Sequence, residues 1–253
     1  MHQIIRLAVR NLTVSLNPGF LVWQVIFPIM YIFIAGFAYT ALIDNVSLGE
    51  QNVSYPAFLA TGMIGFTIMN STLISGIIIW NDRRSGMFEQ ILSGPFTRTH
   101  YILSNVIAIG IVGMVSAALI ILVGLPVFAD LASFTAFTIP LIILASVGGS
   151  LLFGSIASII STRLKSSEGF NVVINTVFLF SAFVSTAFYP AQGAPELLSV
   201  VFYFNPLTYI VDIIRAAVFG GITELIIIEM GVISVLAVAL FAVATRLLTK
   251  LDF

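Results

Sequence analysis

The chain has 253 residues, 59% of them hydrophobic and only 8% charged, with a mean hydropathy of +1.12 and a formal net charge of −1. Soluble domains carry about 25% charged residues, so a surface drawn from 10 basic and 11 acidic side chains would leave apolar patches that no soluble monomer tolerates. The absence of cysteine excludes disulfide frameworks, thiolate metal centres and thiol nucleophiles, and lipid is the solvent that fits.

Residues 1–17 form the first element, an amphipathic helix. Ile5, Val9, Leu12 and Leu16 share one face, and Arg6, Arg10 and Thr13 another, the pattern of a helix lying in the membrane interface and not of a cleavable signal. Asn17 followed by Pro18 suits an N-cap and first helical residue. Beyond it, the gaps between charged residues mark the spans. Arg10 to Asp44 encloses 33 uncharged residues, Glu50 to Asp82 31, Arg98 to Asp130 31, Asp130 to Arg163 32, and Glu168 to Glu196 27. Each exceeds the roughly 20 residues that cross about 30 Å of hydrocarbon. A last stretch, Glu229 to Arg246, encloses 16 and spans if its flanking side chains snorkel.

The spacing therefore predicts an all-α integral membrane protein, one domain over 1–253, with six transmembrane helices. They are Phe20–Ile43, Tyr55–Trp80, Tyr101–Phe128, Ala132–Thr162, Phe170–Phe188 and Leu225–Leu248. The runs are too long and too uniformly apolar for the alternating strands of a barrel. With both termini cytoplasmic, nine basic residues lie inside and only Arg215 outside, a strong positive-inside bias.

Two loops carry most of the remaining information. In the inner segment 81–100, Ser85-Gly86 breaks the helix leaving span two, a short helix fits Met87–Ser93, Gly94-Pro95 stops it, and Thr97 or Thr99 caps the next span. Met87 and Ile91, and less closely Phe88 and Leu92, give that helix apolar surface. It reads either as a positive-inside connector or as a protruding helix that docks into a cytosolic partner. In the outer segment 189–223, Pro190 ends span five, a short helix runs from Pro195 to near Phe204, and Asn205-Pro206 opens a second, Leu207–Phe219, closed by Gly220-Gly221. Both are too short to cross and too apolar for water, so a re-entrant hairpin fits, with Asp212 and Arg215 at i, i+3 forming a structural ion pair or, alternatively, a substrate contact.

At these two segments the sequence resembles the membrane subunits of ABC transporters of the ABC-2 type. RRSGMFEQILSGPFTR is similar to the family's segment after span two, and NPLTYIVDIIRAAVFG to its motif before the last span. The resemblance implies a permease subunit that pairs with a second copy or a related permease and contacts a separate ATP-hydrolysing subunit, with ATP and magnesium held there. It implies that Arg83, Arg84, Gly86, Glu89, Leu92 and Pro95 belong to a coupling helix and that Arg163 and Lys165 form a smaller contact. Tyr189, Pro190, Asn205, Pro206, Asp212 and Arg215 would then form the re-entrant gate region. A P-loop needs Gly-Lys-Ser/Thr, and neither Lys165 nor Lys250 follows a glycine, so the chain is expected not to be an enzyme or to hold a cofactor.

The alternative is an ion-coupled secondary transporter, which places ionisable groups near the bilayer midplane, where the five long spans have none. Glu229 reads as an interfacial anchor or, alternatively, as a buried acid in span six. His2 and His100 sit at span edges, away from any metal or catalytic duty, and no nucleic-acid partner is expected. Ser150, Gly154, Ser158 and Thr162 form an i, i+4 row of small residues that fits either packing within the chain or a dimer contact, and Gly62 and Gly65 are open in the same way. Phe178, Phe180, Phe183 and Phe188 crowd the outer part of span five. If they line the path, they suit export of an amphipathic drug or lipid-like compound across the cell membrane, with a polysaccharide or glycolipid as the other cargo.

Overall fold

The computed structural model describes residues 2–15, 18–40, 45–48, 51–128, 136–192 and 194–249. Helix α1 (His2–Ser15) precedes α2 (Pro18–Tyr31), which passes through a π-helical turn at Ile32–Gly36 into α3 (Phe37–Thr40). A hairpin of β1 (Asn45–Leu48) and β2 (Gln51–Ser54) leads into α4 (Tyr55–Arg84), and α5 (Met87–Leu92) follows. Then come α6 (Arg98–Phe128), α7 (Thr138–Arg163), α8 (Ser167–Phe183), α9 (Glu196–Phe204), α10 (Pro206–Phe219) and α11 (Glu224–Thr249).

Five stretches are long and apolar enough to cross a bilayer: Val22–Tyr39, Tyr55–Arg84, Arg98–Leu122, Thr138–Arg163 and Glu224–Leu248. The predicted fifth span is shorter than expected. Helix α8 starts at Ser167 and stops at Phe183, five residues before Phe188. The first span holds together through Pro28, which removes one backbone donor, and the wider π turn follows within a helical turn of it. The expected cap Asn17, Ala132 and Lys250 lie outside the described residues, and span four starts later than expected, since α7 begins at Thr138 after a turn at 136–137.

Helix α4 is the axis of the bundle, packed by α6, α7 and α10, and is buried around nearly its whole circumference from Tyr55 to Ser75. A helix apolar on all sides has to be covered on all sides. Its serine and threonine hydroxyls other than that of Ser75, which has no partner among the described residues, are satisfied locally: Thr67 and Ser71 donate to the carbonyls of Met63 and Thr67 at 2.8 Å each. Small residues allow the close approach. A Cβ on Gly76 would stand 2.8 Å from Ala157 of α7, and one on Gly154 would stand 2.9 Å from Val106 of α6. Ser150 packs on Gly110, and all four members of the small-residue row are buried, so that row serves packing within one chain.

The β-hairpin is a feature the sequence reading did not anticipate. It pairs Val46 with Val53, both buried, against the start of α4, while Ser47 donates to Asn52 at 3.0 Å. At the other extreme α11 is a peripheral helix. Ile226, Glu229, Ile233, Ala237, Ala244 and Leu248 face the bundle, while Ile227, Ile228, Val235 and Val238 are uncovered.

Candidate functional site

The described arginines other than Arg215 gather at one end of the bundle, where α5 sits. Gly86 makes the break before α5 by adopting φ +74°, a left-handed conformation that costs a residue with a Cβ about 1 kcal/mol. Thr97 caps α6, its hydroxyl accepting from the His100 N–H at 3.2 Å. Helix α5 points Phe88 and Ile91 inward, where they are buried with Leu7, Ile79, Tyr101, Ile102, Val106 and Leu248. Its apolar side therefore anchors it to its own chain. The outward surface is Met87, Gln90, Ser93, Gly94 and Pro95, with Leu92 half-buried.

Behind α5 lies a polar joint that the sequence reading treated only as a span boundary. Asp82, 9% exposed, accepts from the Tyr101 hydroxyl at 2.6 Å and from the Arg10 guanidinium at 3.3 and 3.4 Å. The ring of Phe88 stands edge-on against Tyr101, with centroids 5.1 Å apart. One carboxylate thus ties α1, α4 and α6 together next to α5. Around it, Arg83 donates to the Ser161 carbonyl at the end of α7, and its charge faces Glu89. Arg84 lies over the Trp80 ring at 4.8 Å, and Trp80 stacks on Phe170 of α8 at 5.5 Å. Arg98 donates to the Leu248 carbonyl at 2.6 Å. Arg163 and Lys165 are exposed beside Ser166, whose hydroxyl caps α8 by accepting from Gly169 at 3.1 Å.

Helix α1 presents three faces to three environments. Leu7, Ala8 and Asn11 are buried against the bundle, Arg6 and Thr13 are exposed beside Arg10, and Ile5 and Val9 are uncovered on the remaining side.

At the opposite end the chain breaks inside the bundle. After Phe183, residues 184–190 are non-helical, yet Ser185, Thr186, Ala187 and Phe188 are buried. Irregular backbone at membrane depth persists only where protein satisfies its polar groups. Here Tyr55 donates to the Phe188 carbonyl at 3.2 Å, Arg215 to the Thr186 carbonyl at 2.7 Å, and Asn205 to the Val184 carbonyl. Gly62 makes room for the turn, since a Cβ there would stand 1.9 Å from the Ala187 oxygen. Gly65 does the same for Val211 of α10.

Asn205 also sets the elbow between α9 and α10, which meet at 86°. Its side-chain oxygen accepts from Leu207 N–H at 3.0 Å, its amide donates to Ser181 at 2.9 Å, and Pro206 occupies the first helical position. The expected hairpin is thus an elbow: α9 is uncovered at Leu197, Tyr203 and Phe204, whereas α10 is buried along most of its length. Arg215 and Asp212 pair at 3.1 Å; the guanidinium also lies 3.8 Å from the centre of the Phe58 ring, and Thr186 donates to Asp212 at 3.2 Å.

The predicted aromatic positions separate into two groups. Phe188 is buried among Tyr31, Phe66 and Phe183 at centroid distances of 5.4–5.9 Å, and Phe178 is half-buried against Phe66 at 5.5 Å. Phe180, Phe183 and Tyr189 are uncovered, and Pro190 is half-buried. On the same helix Asn171, Asn175 and Thr176 are also uncovered, with the Asn175 amide donating to the Asn171 carbonyl at 2.7 Å.

With this geometry in view, the ABC-2 type transporter family profile matches residues 2–219. The chain belongs to that family. It is 28% identical over 251 residues to a protein of Pyropia yezoensis named as the transport permease ycf38, covering 93% of this chain and 83% of that one. Nodulation protein J of Rhizobium leguminosarum bv. viciae is 25% identical over 228 residues, covering 88% and 84% of the two chains. The protein of Escherichia coli (strain K12) named as the multidrug ABC transporter permease YbhS is 24% identical over 183 residues, 70% of this chain and 47% of that one. ABC-2 type permeases are membrane subunits that pair with an ABC ATPase subunit. Both α5 and the Asn205–Gly220 segment, except Gly220 itself, fall within the matched residues. In this multi-pass ABC-2 type chain the joint at Asp82 is what reading from sequence missed, and of the two readings of Glu229 the structure favours the buried acid. Glu229 is 6% exposed, facing the bundle and not the interface. Its spacing from Ile226 and Ile233 on one helical face was the available signal.

Proposed function

We propose that this chain is the permease subunit of an ATP-driven exporter, with the basic end cytoplasmic, both termini inside, and α1 in the inner membrane interface. The three-faced surface of α1 supports the interfacial placement, and the uneven distribution of basic residues supports the orientation. Two copies, or this chain and a related permease, enclose the path. Each engages an ATPase subunit that holds ATP and magnesium, and the chain itself performs no hydrolysis.

The observation that carries this reading is the build of α5. It is a short helix anchored through Phe88 and Ile91, with an uncovered surface at Met87, Gln90 and Ser93–Pro95 and the exposed Arg163 and Lys165 at the same end. Arg83, Arg84, Gly86, Glu89 and Leu92 hold or shape this coupling helix, and Pro95 belongs to its surface. Nucleotide-driven closure of the ATPase pair then biases the membrane halves between two states.

The path runs along α8. Amide and hydroxyl side chains within a span avoid lipid, so Asn171, Asn175 and Thr176 face water or the second subunit, with Phe180 and Phe183 further along. A face that is polar at one end and aromatic at the other suits an amphipathic or lipid-like cargo in the cell membrane. The asparagine amides also suit sugar hydroxyls, which keeps a glycolipid or polysaccharide as the second reading. Tyr189, Pro190, Asn205, Pro206, Asp212 and Arg215 hold the outer gate.

Co-purification with the cognate ATPase tests the coupling assignment. Met87→Glu combined with Gln90→Glu alters only outward side chains, so it is expected to weaken ATPase retention and stimulated hydrolysis while the melting temperature holds. Unchanged retention and stimulation would sink the assignment. Uphill transport by the purified chain alone on a proton gradient would establish the secondary-transporter alternative.

A further inference from the structure

The described apolar residues fall into two cores. The larger gathers around α4, reaches from the β-hairpin to α10 and α11, and takes no described member from α1 or α5. The smaller lies at the basic end and joins Leu7 of α1 and Ile79 of α4 to Phe88 and Ile91 of α5 and Tyr101 of α6. Leu151 of α7 packs against both. Helices α1 and α5 therefore share a core of their own, set apart from the main one.

Apolar burial is non-directional, so packing alone does not fix how α1 sits relative to α5. The joint at Asp82 supplies the direction. The Tyr101 hydroxyl donates to it at 2.6 Å, and Arg10 reaches both of its oxygens, at 3.3 and 3.4 Å. Tyr101 is also the ring that Phe88 meets. The contacts run unbroken from α5 to α1: Phe88 to Tyr101, Tyr101 to Asp82, and Asp82 to Arg10. Buried ionic groups contribute little net stability, and their best-attested service is to fix register. Close-packed interiors also transmit displacement, because shifting Phe88 alone would open a void beside Tyr101.

Helix α1 leads onward. It ends at Ser15, and α2 begins at Pro18, so two residues join it to the first span. Tyr31 at the end of α2 packs edge-on against Phe188 of the outer turn, with centroids 5.4 Å apart. The helix in the membrane interface is thus held by the joint and followed directly by a span that touches the outer turn.

We propose that α1 is a moving part of the coupling apparatus and not a passive lipid anchor. Asp82, Tyr101 and Arg10 are positioning residues that carry a displacement of α5 into α1 and the first span. The proposal rests on the reading of α5 as the helix that meets the ATPase.

The chain has no cysteine, so a bimane label on Ile5→Cys, on the uncovered side of α1, reports on that helix. Labelled protein in nanodiscs is combined with the cognate ATPase subunit, and emission is read without nucleotide and after trapping with ATP, magnesium and vanadate. Trapping is expected to shift the emission of the labelled parent. Arg10→Gln should reduce that shift at least twofold while ATPase retention holds, and Arg10→Lys, which keeps the charge, should preserve it. A purely structural role for Arg10 would lower the melting temperature and leave the shift unchanged. Asp82→Asn should reduce the shift at least as far. If Asp82→Asn fails to fold, Arg10→Gln still decides, since the Arg10 side chain is 33% exposed and its loss leaves the Tyr101 bond in place. Equal shifts in the parent and Arg10→Gln overturn the proposal, as does an unshifted parent that retains the ATPase. An equal shift from a label on Val235→Cys, on the uncovered side of α11, also overturns it, because the whole bundle then responds. A parent that retains no ATPase brings down the permease reading and this proposal with it, whereas retention with equal shifts overturns this proposal alone.

Discussion

Removing the Tyr101 hydroxyl should loosen the joint behind α5 without disturbing the packing on it. Tyr101→Phe keeps the ring that meets Phe88 at 5.1 Å and deletes only the 2.6 Å bond to Asp82. Tyr101 is fully buried and Asp82 nearly so, so the bond is charge-assisted and shielded from water, and its loss should cost about 1.5–3 kcal/mol. The Arg10 contact is weaker. It is longer, at 3.3 Å, and the Arg10 side chain is 33% exposed, so Arg10→Gln should cost less than about 1 kcal/mol. Asp82→Asn keeps the shape but loses the charge that both partners use, so its cost should resemble that of Tyr101→Phe. Combining Tyr101→Phe with Asp82→Asn should then cost less than the sum of the two, by about 1–2 kcal/mol, because both remove the same bond. Unfolding in mixed detergent micelles, titrated with a denaturing detergent, measures these differences. If Tyr101→Phe costs under about 0.5 kcal/mol, or if the two substitutions simply add, Asp82 does not join α1, α4 and α6 as described.

The inserted turn gives a steric prediction. Gly62→Ala places a methyl 1.9 Å from the Ala187 carbonyl and should abolish folded protein on size exclusion, whereas Gly231→Ala, with nothing within 4 Å, should behave as wild type. Asn205→Ala removes the α10 cap and strips partners from two buried carbonyls, so a loss of about 3 kcal/mol is expected from the same micelle titration. The chain lacks cysteine, so single-cysteine labelling has no background. Asn175→Cys should react with a membrane-impermeant thiol reagent in whole membranes, and Val235→Cys on the uncovered face of α11 should not. Labelling of the second and not the first would reverse the assignment of faces.

How much of this was legible beforehand depended on what marks an element's end. Charges are costly in hydrocarbon, so the gaps between them located the long spans to within a few residues. Gly86, Pro95, Asn205-Pro206 and Gly220 act through their own backbone chemistry, which is local, and the breaks fell where they stand. The end of α8 was not legible, because residues 184–190 carry no charge and their one proline, Pro190, stands at the far end. What stops the helix is remote: Tyr55, Asn205 and Arg215 take up the carbonyls that a continuing helix would have used. The four-residue strands of the hairpin are likewise too short to show a period.

The same distinction explains the site. Helix α5 has six residues, fewer than two turns, so its sequence could not tell an anchoring face from a docking face, and Phe88 and Ile91 turned out to face inward. Asp82 was read only as a marker of where a span meets water, since that is where most charged residues in such a chain lie, while Glu229 was read as such a marker or, alternatively, as a buried acid. Both are buried, and they differ in their partners. Asp82 has its partners on other helices, so it works as a joint. Among the described residues, Glu229 Oε2 has no hydrogen-bond partner. In a chain this apolar, the position of a charge along the sequence reports the membrane, and only its partners on other helices, as at Asp82, report what it holds together.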